Sequence, residues 1–237
     1  RLNKAAFLEN DANALALAEV WIGRGAQFSQ IALLFLSDGV GGAFFSKSQV
    51  LRGRKHAGGM EVGKMIVSGD HGPASVESYL SLRNLERMFG LQQSVEEGDI
   101  GTFFQLLRER ALADPDSMQG AFAQIVDLLA QVIANLVAMV SPDAVFLDTP
   151  LLEVYRSFIS DLEQRVDRYL PQRPELSVGL YPASLSTEKE VIGGAAIAMY
   201  RTRFRFIITG KNRVEPEPEE AESPNARSED VSGASTS

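Results

Sequence analysis

The sequence predicts an α/β fold, because short apolar runs that read as strands alternate with longer stretches of helical periodicity. Residues 30–36 and 144–147 are continuous apolar runs, the mark of strands covered on both faces. Residues 100–113, 118–140 and 151–170 instead repeat apolar positions at helical spacing.

In chain order, a helix is expected over 11–21, where Leu15, Leu17, Ala18 and Trp21 lie among alanines. Asn10 or Asp11 is its N-cap, and Gly23 or Gly25 ends it. The strand at 30–36 leads through the glycine-rich turn 38–42 into a second strand at 43–45, with 49–51 as its hairpin partner. Residues 52–75 hold six glycines and both histidines with little periodicity, so they read as a long loop containing one short strand at 65–67. Loops of that length in a compact domain usually serve function. Helices follow at 76–89, 100–113 and 118–140, the last closed by Pro142. The remaining elements are a buried strand at 144–147, an amphipathic helix at 151–170, a strand at 176–180, and a small-residue helix at 191–200 starting near Gly193-Gly194.

Composition narrows the function classes. The 237 residues suffice for one large domain or two small ones. With no cysteine, disulfide frameworks, thiolate zinc sites, iron–sulfur clusters and cysteine nucleophiles are excluded, and a reducing cytoplasm is the comfortable compartment. A net charge of -8 repels nucleic-acid phosphate and anionic lipid, so no membrane partner is expected and any DNA contact must come from elsewhere. The apolar stretch 118–140 has the length of a membrane span but is interrupted by Gln119, Gln124, Asp127, Gln131 and Asn135, which marks it as a core helix. The chain opens on Arg1 with no signal-peptide pattern and reads as a piece of something longer. Residues 1–210 form the expected α/β domain. In 211–237 seven acids stand against three bases with few apolar residues, the composition of a disordered acidic tail.

Taken singly, the candidate site residues have bland readings. Asn10 and Asp11 suit an N-cap, the glycines of 38–42 suit a turn that needs positive φ, and Glu61 among Gly58, Gly59 and Gly63 suits a solvated loop. Order and spacing together say more. The run Glu9-Asn10-Asp11-Ala12-Asn13-Ala14, then Asp38-Gly39-Val40-Gly41-Gly42-Ala43, Leu51-Arg52-Gly53, Glu61-Val62-Gly63 and Glu77-Ser78-Tyr79 resembles the ROK family of sugar kinases and sugar-responsive repressors. The likeness is strongest over residues 8–80 and runs more weakly to Leu147 and Gly193-Gly194-Ala195-Ala196.

That resemblance implies an actin-like, ribonuclease H-like fold of two lobes with a sugar cleft between them. This chain would be the larger C-terminal lobe, with the N-terminal lobe largely missing. It also implies roles. Asp11 takes the place of the kinases' general base, and Asn10, Asp11, Glu61 and Glu77 would bind sugar hydroxyls. Asp38, Gly39, Gly41 and Gly42 fall in a degenerate nucleotide motif.

Three departures qualify the resemblance. Lys64 stands where the family's zinc site has a histidine, and 65–76 carries none of its three cysteines. An ammonium has no free electron pair, so zinc is not expected; Asp70 and His71 alone make a poor site. Lys64 is instead expected to pair with Glu61 or Glu77. Asp38 replaces a phosphate-contacting threonine, a repulsion of about 4 kcal/mol per charge pair ~4 Å apart at an effective dielectric of about 20. Leu147-Asp148-Thr149-Pro150 replaces a glycine pair that admits adenine.

The resulting expectation is a sugar-sensing, effector-binding and oligomerisation portion of a ROK-type transcriptional regulator without kinase activity. Its DNA contact would come only through a missing N-terminal region. The alternative is a zinc-free ATP-dependent sugar kinase, and only then are ATP and Mg²⁺ cofactors. A scaffold that binds neither ligand is the third reading.

Overall fold

The computed structural model describes residues 9–47, 49–52, 60–92, 99–170, 177–185 and 189–201, all within one unit, Arg1–Phe206. The acidic stretch 211–237 and the loop residues 53–59 lie outside the described residues.

Helix α1 (Asp11–Trp21) precedes strands β1 (Gln30–Leu36), β2 (Val40–Ser46) and β3 (Gln49–Val50). A small hairpin, β4 (Ile66–Gly69) and β5 (Gly72–Ser75), leads into α2 (Val76–Leu80), α3 (Leu82–Met88), α4 (Ile100–Ala113) and α5 (Gln119–Val140). Then come β6 (Ala144–Asp148), α6 (Leu151–Val154), α7 (Phe158–Tyr169), β7 (Gly179–Pro182) and α8 (Lys189–Arg201). The main sheet has the order β3-β2-β1-β6-β7, with β1 antiparallel to β2 and parallel to β6.

Period-2 alternation explains why β1 and β6 are apolar throughout. Ala32, Leu34, Leu36, Val145 and Leu147 enter the larger core with α2 to α7, while Ile31, Leu33, Ala144 and Phe146 enter the core under α1 and α8. Helix α1 sits close on α8 because Gly193 has no side chain: a Cβ there would lie 3.2 Å from that of Ala14. Among the described residues the stretch Asp116–Val140 has the length and hydropathy of a membrane span, yet 56% of its most apolar window is buried. Ile125, Leu129, Val132, Ile133 and Leu136 of α5 pack into the larger core, as expected of a core helix.

Several boundaries differ from expectation. The single helix over 76–89 is broken at Ser81, whose extended backbone (ψ 151°) lets Leu80 and Leu82 both enter the core; in an unbroken helix they would point apart. The helix over 151–170 is interrupted because Tyr155 leaves it to stack on Phe122, centroids 4.6 Å apart. The region 65–75 is a two-stranded hairpin instead of a loop with one strand, its tip closed by Asp70-His71 with Gly72 at φ +91°. Strand β7 falls at Gly179–Pro182 instead of 176–180, and Gly193 lies inside α8 instead of at its start.

Candidate functional site

The residues singled out from the sequence come from four separate segments, and the fold brings these segments together at the β1–β2 turn. Helix α1 begins there. Asn10 caps it, its Oδ1 accepting from Asn13 N at 3.2 Å. Asp11, the first helical residue, is exposed, and its Oδ1 accepts from Ala12 N at 2.7 Å. A Cβ on Gly41 would lie 3.7 Å from that of Ala12, so the helix start lies beside β2.

The second segment reaches the same turn from the other side. Met60 bridges to Gly42, and a Cβ on Gly42 would collide with the Val62 side chain at 2.3 Å. A Cβ on Gly63 would fall 2.5 Å from the Val40 carbonyl oxygen. These glycines therefore serve close approach. The positive φ expected of the turn glycines is absent: among the described glycines only Gly72 and Gly90 have one. Between the two contacts Glu61 is exposed, and it makes no capping bond to the 3-10 turn Val62–Lys64 that follows it.

The third segment is the start of α2. Glu77 lies over the turn, its Oε1 3.7 Å from where a Cβ on Gly39 would be, and its other oxygen accepts from Lys64 Nζ. That bond and the Glu77 charge, with the Glu61 charge behind them, hold the Lys64 ammonium above its ordinary range. Of the two partners expected for Lys64, the geometry selects Glu77. Gly63→Ala should push this loop off β2, lowering stability by about 1–3 kcal/mol in thermal denaturation and disturbing Glu61 and Lys64 on either side.

Two supporting pairs went unnoticed in the sequence. Arg52 donates from Nε (3.2 Å) and Nη2 (2.8 Å) to Glu9 Oε2, while Glu9 Oε1 accepts from Asn13 Nδ2 at 3.0 Å. The two side chains are only 17% and 5% exposed. Burial alone would raise the Glu9 carboxyl, but the bonds from Arg52 and Asn13 and the Arg52 charge outweigh it and hold it below its ordinary 4.5. This pair fixes the entry to Asn10. At the carboxyl ends of the parallel strands, where ligands bind in open α/β sheets, Asp148 stands opposite Phe35. Lys189 Nζ donates to both Asp148 oxygens at 2.8 and 3.0 Å and lies 5.3 Å from the Phe35 ring centroid.

A model of the ROK family matches residues 1–201. The chain belongs to the ROK family. Among curated relatives it is 26% identical over 224 residues to the glucokinase of Thermotoga maritima, an overlap of 85% of this chain and 68% of that one. The ROK hexokinase of Thermus thermophilus superposes with a TM-score of 0.68 at 26% identity, covering 84% of this chain and 66% of that one. A ROK family transcriptional regulator, a homologue of the Escherichia coli Mlc protein, superposes with a TM-score of 0.62 at 19% identity over 81% of this chain and 51% of its own. The chain thus spans between about half and two thirds of these ROK proteins, and their actin-like fold is its fold.

This ROK lobe does not fit the family's zinc. The cation Lys64 holds the histidine position and is already paired, the chain has no cysteine, and among the described residues no three His, Asp or Glu side chains gather. Asp70, one of the two ligand types left in that loop, instead accepts from Gln124 Nε2 at 2.7 Å. Asp38 is exposed at the β1–β2 turn, and the Asp148–Lys189 pair stands at the strand ends.

Proposed function

We propose that this chain is the effector-binding part of a ROK-type sugar-responsive transcriptional regulator: it binds a small neutral sugar and does not phosphorylate it. One observation carries the reading. The four positions that the ROK resemblance assigns to sugar, Asn10, Asp11, Glu61 and Glu77, border one turn, with Asp11 and Glu61 exposed on it, whereas the positions it assigns to nucleotide carry an extra carboxylate, Asp38, near the Asp148–Lys189 ion pair at the strand ends. Carboxylates and amides suit a sugar because it presents many hydroxyl donors in fixed geometry. Sugar binding would shift the lobe orientations and so the DNA affinity of a region outside this sequence, in a cytoplasmic homo-oligomer.

The kinase alternative keeps one supporting observation. Asp11 is exposed at the start of α1, in the position of the kinases' general base, and the Thermotoga and Thermus relatives are a glucokinase and a hexokinase. Under that reading Mg²⁺ would have to offset Asp38.

Calorimetry on the full-length protein with D-glucose, N-acetyl-D-glucosamine and D-xylose, each with and without Mg-ATP, separates the two. Binding of one sugar that is indifferent to Mg-ATP, with no phosphorylated product, is expected, and Glu61→Gln should weaken it about tenfold. A phosphorylated product would give the kinase first place. No uptake of any sugar would leave a scaffold.

A further inference from the structure

The hairpin β4–β5 joins Lys64 to Glu77: it leaves the 3-10 turn that ends at Lys64 and returns into α2, which carries Glu77. Its base is closed by Val76 N donating to Met65 O at 2.9 Å and by the Lys64–Glu77 pair. A two-residue tip makes Gly69 and Gly72 the hydrogen-bonded pair, so the next pair, Ser68 and Pro73, is a non-hydrogen-bonded one. That is where proline fits. It also turns the N–H and C=O of Ser68 away from β5, toward a free edge.

Both groups are taken by a single side chain. Gln131, midway along α5, accepts from Ser68 N with Oε1 at 2.9 Å and donates from Nε2 to Ser68 O at 2.9 Å. It is itself oriented by Asp127, whose Oδ2 lies 3.2 Å from Nε2. Asp127 is held in turn by Arg165 Nη1 at 2.7 Å and by Tyr169 OH at 3.1 Å from α7. One helical turn pair earlier, Gln124 secures the tip through Asp70. A primary amide is suited to this place because it alone offers one donor and one acceptor side by side, matching a peptide edge.

We propose that Gln131 is a positioning residue: by completing the free edge of β4 it docks the hairpin on α5 and so sets Lys64 and Glu77 at its base. The consequence for ligand affinity rests on the sugar-site reading above; the docking itself does not. A loop that a metal would otherwise tie down is here held by two glutamines on a core helix.

The test is amide hydrogen exchange and calorimetry on the full-length protein, comparing wild type with Gln131→Leu, which keeps the bulk and removes the amide, and with Gln124→Ala. In Gln131→Leu the amides of 66–75, and those of Lys64 and Val76 at the base, should exchange roughly tenfold faster, with β1 and β6 unchanged. Affinity for D-glucose or N-acetyl-D-glucosamine, whichever wild type binds, should fall about three- to tenfold. Gln124→Ala should speed exchange at the tip alone. Unchanged exchange over 66–75 would overturn the docking. Faster exchange there with Lys64 and Val76 unchanged, or with unchanged sugar affinity, would overturn the positioning. If wild type takes up neither sugar, the sugar reading falls, and the exchange at Lys64 and Val76 decides the positioning by itself.

Discussion

Arg52→Ala is expected to lower the stability of this chain by about 1.5–3 kcal/mol, because it removes two charge-assisted hydrogen bonds from the Glu9 carboxylate. Glu9 is only 5% exposed, and two of its hydrogen bonds come from the one guanidinium. The guanidinium also lies 5.4 Å from the Tyr200 ring centroid, so its removal loosens α8 as well as the start of α1. Denaturant unfolding monitored by circular dichroism measures the loss. Replacing both partners by apolar residues, Glu9→Leu with Arg52→Met, should cost less than Arg52→Ala alone, since the carboxylate and the guanidinium are then removed together. The pH dependence has a definite sign. The Glu9 carboxyl is held below its unfolded value, so its contribution is fully present above 4.5 and is lost as pH falls through the lower folded value. Wild type should therefore lose more stability between about pH 5 and pH 3 than the double variant does.

Glu19→Ala is expected to cost about 1.5–3 kcal/mol by removing hydrogen bonds to a buried charged acceptor. Glu19 is 1% exposed at the end of α1, and its carboxylate accepts from Arg24 N at 2.9 Å, Ser184 N at 3.0 Å and Ser184 Oγ at 2.6 Å. It joins segments 165 residues apart. Gly23 lies close beside it: a Cβ there would come within 2.6 Å of the carboxylate and displace it. Glu19→Gln, which keeps the shape and one acceptor oxygen, should recover more than half of the loss in thermal denaturation. A cost for Glu19→Ala no greater than that of an exposed glutamate such as Glu109 would show that the 184 region is not held through this residue.

The candidate site was legible in part. Asn10 and Asp11 at a helix start, and Glu61 among glycines, have bland readings one by one and stand out only because their order and spacing resemble the ROK family. The function of the glycines was misjudged. A sequence shows that Gly42 and Gly63 have no side chain, but not that Val62 and the Val40 carbonyl come up against them. Arg52 entered only as part of the ROK-like run and Gln131 only as a polar interruption of an apolar stretch, and neither signalled its partner. Arg52 looks like any charge after a short strand, and Gln131 like a polar interruption in an apolar helix; each acquires meaning only from a partner 43 or 63 residues away.

By itself the sequence determined the α/β class and nearly every regular element, because hydrophobic period and capping are local properties: α1 runs from Asp11 to Trp21 behind its Asn10 cap, and β1 covers Gln30–Leu36, as the pattern requires. It also determined that Lys64 cannot serve as a zinc ligand, which is a matter of side-chain chemistry alone. Only the tertiary structure decided that Lys64 pairs with Glu77, that the 65–75 region is a hairpin docked by Gln131, and that Asp148 is bound by Lys189. It also broke the helices at Ser81 and Tyr155, where burying Leu82 and stacking on Phe122 outweigh a continuous hydrogen-bond ladder. These outcomes depend on which surfaces meet across the chain, and contacts between distant segments leave no local period to read.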